Sequence, residues 1–142
     1  MRKSILMAAA FVLVTAFSAC SLSKQNVAKP EVSIDYGTSE IYSEEDMASA
    51  IEEIKEEFGT WEGCELHSMT YAGDECMNDE NIRWMNELKE GEDFTQCIEF
   101  LSNFHSPKKP RGAWQEDTEY ENWNWWLARS EGGDWELLTW GY

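Results

Sequence analysis

Basic residues are scarce: 11 Lys and Arg stand against 28 Asp and Glu, a formal net charge of −17. Nucleic-acid binding rests on neutralising phosphates, so no nucleic-acid partner is expected. Adsorption of the folded surface to an anionic bilayer is opposed for the same reason. Histidine is scarcer still, with only His67 and His105, and neither a Gly-x-Ser-x-Gly turn nor a Cys/His nucleophile signature occurs. Cys64, Cys76 and Cys97 lack the paired short spacing of a zinc site. Asp74-Glu75 with Asn78-Asp79-Glu80 is rich in oxygen but lacks the spacing of an EF-hand loop; it reads more simply as a solvated loop and helix cap. Neither a metal nor another cofactor is expected, and the chain is read as non-catalytic. No apolar run reaches the about 20 residues that a membrane-spanning helix needs. The longest, Ile5–Phe17, has thirteen. What is abundant is aromatic: 8 Trp, 6 Phe and 5 Tyr within 42% hydrophobic content argue for a folded domain where acidity alone would suggest disorder.

The first segment has a different character. Arg2 and Lys3 precede the apolar run, and the small residues Ser18 and Ala19 follow it, the layout of a secretory signal over residues 1–19. Phe17-Ser18-Ala19-Cys20 resembles a bacterial lipobox, departing from it at Phe17, where Leu is usual. The resemblance implies lipidation at Cys20, a partner in the membrane through that N-terminal lipid, and an extracytoplasmic, envelope-bound location. One acyl chain anchors only marginally, two or three durably. Residues 20–39, with Ser, Lys, Asn, Pro30 and Gly37, carry no helical period and read as a flexible tether. About 18 such residues would span roughly 20–25 Å.

Residues 40–142 read as one α+β domain. Ser43-Glu44-Glu45-Asp46 is a capping-box pattern, with Tyr42 and Met47 placed as a hydrophobic staple. Met47, Ile51, Ile54 and Phe58 recur at helical spacing, and Gly59 is a stop. A strand is expected over residues 64–71, with His67, Met69 and Tyr71 on one face. A second helix follows over residues 77–89 through Ile82, Met85 and Leu88, capped by Asn78 or Asp79. A longer strand over residues 94–104 places Phe94, Ile98, Phe100 and Phe104 together, opposite Cys97 and Leu101. A Pro- and Lys-rich loop over 106–112 precedes strands over 120–129 and 135–142, joined around Glu131-Gly132-Gly133-Asp134. The leading helix followed by a late run of strands implies a helix packed on one face of an antiparallel sheet.

That order, ending in Trp125-Trp126-Leu127-Ala128-Arg129, a Gly turn and Trp135-Glu136-Leu137-Leu138, resembles the NTF2-like (cystatin-like) domains of small bacterial lipoproteins of unknown function. The resemblance covers about residues 40–142 and implies an amphipathic helix cradled by a curved antiparallel sheet, often with a pocket between them. It fixes no activity, because such a fold hosts enzymes, binding modules and structural partners alike.

With a five-residue hairpin loop, Leu127 would pair with Leu137, placing Trp123, Trp125, Leu127, Trp135 and Leu137 on one apolar face. The other face would mix Asn122, Asn124, Trp126, Leu138, Trp140 and Tyr142, where a ligand could stack on amphipathic rings; alternatively, all the rings fill the core. The candidate ligand or partner face is therefore Trp114, Trp126, Trp140 and Tyr142, with His67 as a pocket-lining residue. Outside the cytoplasm a disulfide is permitted; Cys64 and Cys97 are the favoured pair, with reduced, buried thiols the alternative. The expected function is a lipid-anchored extracytoplasmic module that binds an unknown protein or small molecule without chemistry. A glycan-binding domain using Trp114, Trp126 or Trp140 is the rival reading, and an NTF2-like enzyme using His67 the third.

Overall fold

The computed structural model describes residues 30–142. The expected signal peptide, the lipidation site Cys20 and the tether up to residue 29 lie outside the described residues. The chain runs β1 (Ser33–Asp35), α1 (Glu44–Phe58), β2 (Glu65–Tyr71), α2 (Asp79–Leu88), β3 (Gln96–His105), β4 (Glu119–Arg129) and β5 (Glu136–Gly141), with a 3-10 turn at Asp74–Cys76 before α2. The five strands form one sheet in sequential order, not closed into a barrel, beside two α-helices. The fold is α+β.

The sheet is mixed, where a purely antiparallel one is expected. β2 to β5 are antiparallel, but β1 pairs with β2 in parallel, Ile34 opposite Met69. This strand lies inside the stretch read as tether. Val32, Ile34 and Tyr36 alternate with exposed Ser33 and Asp35 and pack against the core, the period-2 pattern of a half-buried strand.

α1 begins where its cap dictates. The Ser43 hydroxyl accepts from the Asp46 amide at 3.1 Å, and the Asp46 carboxylate accepts from the Ser43 amide at 3.3 Å. Its apolar stripe, Met47, Ala50, Ile51, Ile54 and Phe58, is wholly buried with Leu66, Met69, Tyr71, Ile98, Phe100, Phe104, Trp125 and Leu127 of the sheet. Burying side chains of this size contributes about 1.5–3 kcal/mol each, which makes this interface the main core. α2 is capped by Asn78, whose Oδ1 accepts from the Asn81 amide at 2.9 Å. It covers a smaller cluster of Met85, Phe94, Cys97 and Ala128, joined by Ile82, Trp126 and Leu138. Phe94 thus belongs with α2, not on the Ile98 face, because β3 starts only at Gln96. Leu88 stays exposed.

Three bulges decide which way side chains point. Between β2 and β3 the register slips at Leu66/Ser68, leaving His67 as the extra residue. Between β3 and β4 it slips at Ser102/Phe104, where Asn122 takes a left-handed φ of 56°. Between β4 and β5 Trp126 faces Thr139 while Leu127 faces Leu137, leaving Leu138 as the extra residue. Each slip reverses the alternation beyond it.

Candidate functional site

The third bulge reorganises the expected ring face. Leu127 pairs with Leu137, the register of the five-residue-loop alternative, but beyond Leu138 the alternation flips and Trp140 stands opposite Trp125. Trp140 and Tyr142 therefore turn towards Trp125 and Trp123 at the sheet edge, while still bordering the hollow beside Trp126. Tyr142 sits with its ring 4.9 Å from Trp123, and Trp140 lies 5.9 Å from Trp125 and 6.3 Å from Trp61.

Trp61 organises this end of the molecule. The turn after α1 is closed by the Trp61 amide donating to the Phe58 carbonyl at 3.0 Å, and the indole Nε1 donates to Glu57 at 3.2 Å. Its ring stacks on Trp125 at 5.0 Å and 23°, and meets Trp114 at 4.8 Å. The neighbouring Gly63 has a φ of +79°, and a Cβ there would meet the Pro107 ring at 3.1 Å, so a side chain would be strained and would push the Trp61 and Pro107 loops apart. The Asn122 bulge brings Tyr120 onto the side of Trp123, where it stacks on Phe104 at 4.7 Å and 4°.

The outcome is a ring-walled cleft of about 440 Å³ between Trp114, Tyr120, Trp123 and Trp140, with Arg111 and Gly112 at its border. Its size falls in the range of small-molecule sites. Trp140 is 39% exposed, so an indole face is available to a ligand. The buried Trp123 Nε1 has no hydrogen-bond partner among the described residues, an uncommon condition for an indole donor. By contrast Trp125, fully buried, donates to Ser102 at 2.8 Å. That bond explains a buried serine in an apolar layer.

Trp126 belongs to a second, smaller hollow of about 210 Å³ towards α2, lined with Trp84, Asn124 and Thr139 and bordered at the sheet edge by Trp140 and Tyr142. The Trp84 and Trp126 rings meet edge to face at 5.3 Å. Of the candidate residues, Trp114 and Trp140 meet in the larger cleft, Trp126 lines the smaller hollow, Trp140 and Tyr142 border that hollow as well, and His67 is elsewhere.

His67 is displaced by its bulge from the Met69–Tyr71 row onto exposed surface. There Glu119 bridges two histidines, Oε1 lying 2.9 Å from His67 Nδ1 and Oε2 3.0 Å from His105 Nδ1, while Asp117 lies 3.1 Å from His105 Nε2. The hydrogen bonds to Asp117 and then Glu119 raise the His105 pKa above its ordinary value. With Nδ1 protonated toward Glu119, His67 would offer Nε2 as a base. Neither histidine borders the two hollows above. Among the described residues no group of three His, Cys, Asp or Glu is arranged to hold a metal ion. In the oxygen-rich segment, Asp74 instead accepts from the Glu40 amide at 2.8 Å and the Tyr71 hydroxyl at 2.8 Å.

Cys64, Cys76 and Cys97 are free and buried. The Cys64–Cys97 pairing fails because Cys64 packs with the α1 cluster and Cys97 with the α2 cluster. Cys97 Sγ instead approaches the Cys76 carbonyl at 3.3 Å. Burial pushes the Cys76 thiol up to about 11 and the Cys97 thiol up to about 12, so both stay protonated and poorly nucleophilic at neutral pH.

The sequence reading missed Trp61, Tyr120 and Arg111. Trp61 lies in a turn without periodicity, and Tyr120 needs the Asn122 bulge to face the cleft. Trp84 did carry a signal, as a large ring off the Ile82/Met85 stripe of α2. No family model, curated protein or solved structure matches the chain.

Proposed function

We propose that the chain is a lipid-anchored, extracytoplasmic binding module that performs no chemistry. The observation that carries the binding reading is the cleft of about 440 Å³ with a half-exposed Trp140 and the rings of Trp114, Tyr120 and Trp123 as its walls. A convergent aromatic hollow with few polar groups is the usual form of a small-ligand or side-chain pocket. The histidine–carboxylate cluster borders neither this cleft nor the Trp126 hollow, which favours binding over a His67-based enzyme. The helix laid on one sheet face supports an NTF2-like assignment, although the parallel β1 departs from an all-antiparallel cradle. A glycan is the second reading, favoured by the same exposed indole, since sugar rings stack on such faces. The anchor rests on the lipobox-like residues before Cys20; no helix among the described residues is long and apolar enough to cross a membrane.

Two experiments test these parts separately. Titrating the full chain in detergent with soluble oligosaccharides and with short aromatic-tipped peptides, read by indole fluorescence, should yield a binder. Its affinity should fall by about 2 kcal/mol or more in Trp140→Ala or Trp114→Ala, while Trp126→Ala and His67→Gln keep it. Losses confined to Trp126→Ala or His67→Gln would move the site, and turnover abolished by His67→Gln would defeat the non-catalytic reading. For the anchor, Cys20→Ser should release the protein from the membrane fraction or leave its signal uncut. Normal processing and membrane retention of that variant would refute lipidation.

A further inference from the structure

One border of the sheet is open beside the cleft. β5 is the last strand, and among the described residues no backbone bond from outside the sheet reaches Glu136–Gly141. Unpaired amides and carbonyls on an edge are a template for another strand. Beside them lies a trough of about 490 Å³, walled by Glu53, Glu56 and Glu57 of α1 and floored by Leu137 and Trp140, with Glu136 at one end. Lys89 pairs with Glu136, and Glu57 accepts from Trp61. No Lys or Arg among the described residues pairs with Glu53 or Glu56.

We propose that this border of β5 binds an extended, basic segment of a partner protein. Its backbone would pair with β5, and alternate Lys or Arg side chains would point to the α1 side, laying their aliphatic stems on Leu137 and Trp140 and their charged heads on Glu53 and Glu56. This is strand addition, in which backbone bonds supply affinity and flanking pockets supply choice. The charge pattern selects the occupant. Two copies of this chain paired edge to edge would oppose the same carboxylates in molecules of net charge −17, and like charges placed opposite one another are destabilising. A basic strand meets the reverse condition, and a cation over the Trp140 face gains further attraction. The inference deepens the binding reading by naming a partner class and uses Trp140 from the other side.

The probe is a labelled peptide of about ten residues alternating Lys and Val, titrated against the full chain in detergent at about 150 mM NaCl. A Lys/Pro peptide of equal charge, unable to pair as a strand, is the comparator. The Lys/Val peptide should bind about tenfold or more tighter than the Lys/Pro peptide. Glu53→Gln/Glu56→Gln should weaken it about tenfold, whereas Glu80→Gln/Glu87→Gln on exposed α2 should change it less than about twofold. Amide exchange across Glu136–Gly141 should slow in the complex. Equal binding of both peptides, or equal losses in both double variants, would reduce the effect to general attraction and overturn the proposal. So would a stable dimer whose β5 amides are protected without peptide. Trp114→Ala separates the two readings: it should spare the Lys/Val peptide, and its abolishing that binding would place the peptide in the cleft, defeating the trough while leaving the binding module standing.

Discussion

Arg129, at the end of β4, joins three elements through one guanidinium. Its Nη1 donates to Asp46 of α1 at 2.9 Å and its Nε to Gln96 of β3 at 2.7 Å, while Cζ lies 4.2 Å from the Trp135 ring centre. Trp135 returns to the same helix turn, its Nε1 donating to the Asp46 carbonyl at 3.0 Å. The Arg129 side chain is only 11% exposed, so its charge is costly without Asp46 and Gln96. Asp46 is correspondingly held below the ordinary carboxylate range: burial opposes its charge, but the bonds from Arg129 and Ser43 outweigh burial. Arg129→Met should therefore lower stability by about 1–3 kcal/mol, between the exposed and fully buried ion-pair ranges, measured by urea unfolding near neutral pH. The sign with pH follows from the lowered Asp46 pKa. Its contribution is complete above the unfolded value of about 3.9 and is lost as pH falls through the lower folded value. The gap between wild type and Arg129→Met should narrow on acidification through that window. A constant gap would show that Arg129 acts through its packing on Trp135 alone.

At the scale of elements, what was legible follows from how strongly each pattern is specified locally. The α1 cap and stripe are written in adjacent residues, so Ser43, Asp46 and the Met47–Phe58 spacing locate the helix. Strand positions were equally readable from alternation, whereas the Leu127–Leu137 pairing followed only if the hairpin loop had five residues, and the sequence left that register open. Side-chain direction was not, because one extra residue reverses every side chain beyond it. His67, Asn122 and Leu138 occupy the three slips, and only Asn122 has a chemistry that favours the left-handed backbone. Nothing about His67 or Leu138 distinguishes it from a regular strand residue, so Trp140 could not be assigned to its face from sequence. β1 shows the opposite failure. The Val32-Ile34-Tyr36 alternation was present, but three strand residues set among Pro, Ser and Gly are outweighed by composition. The cleft inherits all of this: Trp114 and Trp140 were named individually, while the loop and bulge geometry that joins them depends on contacts distant in sequence.

For the molecule as a whole, acidity sets how stability responds to its surroundings. With 28 acidic against 11 basic residues, self-repulsion works against the compact state. The pairs Lys55–Glu52, Lys89–Glu136 and Arg111–Glu62 are exposed enough to offset little of it. The Arg129–Asp46 pair is sheltered and weakly screened. Salt should therefore weaken more repulsion than attraction, and the urea midpoint should rise between about 20 mM and about 0.5 M NaCl. Proton uptake acts in the same direction through His105. Its folded pKa is raised by Asp117 and Glu119, so its contribution is complete below the unfolded value of about 6.5 and fades as pH rises through the folded value. At low salt the midpoint should be higher at pH ~6 than at pH ~8, and His105→Gln should diminish that difference. The salt trend should shrink when surface Glu residues of α1 are changed to Gln, whereas the pH trend, set by Asp117 and Glu119 around His105, should shrink with Glu119→Gln. A midpoint that falls with added NaCl would mean that the attractive pairs outweigh the repulsion, and that the net charge is no guide to the stability of this fold.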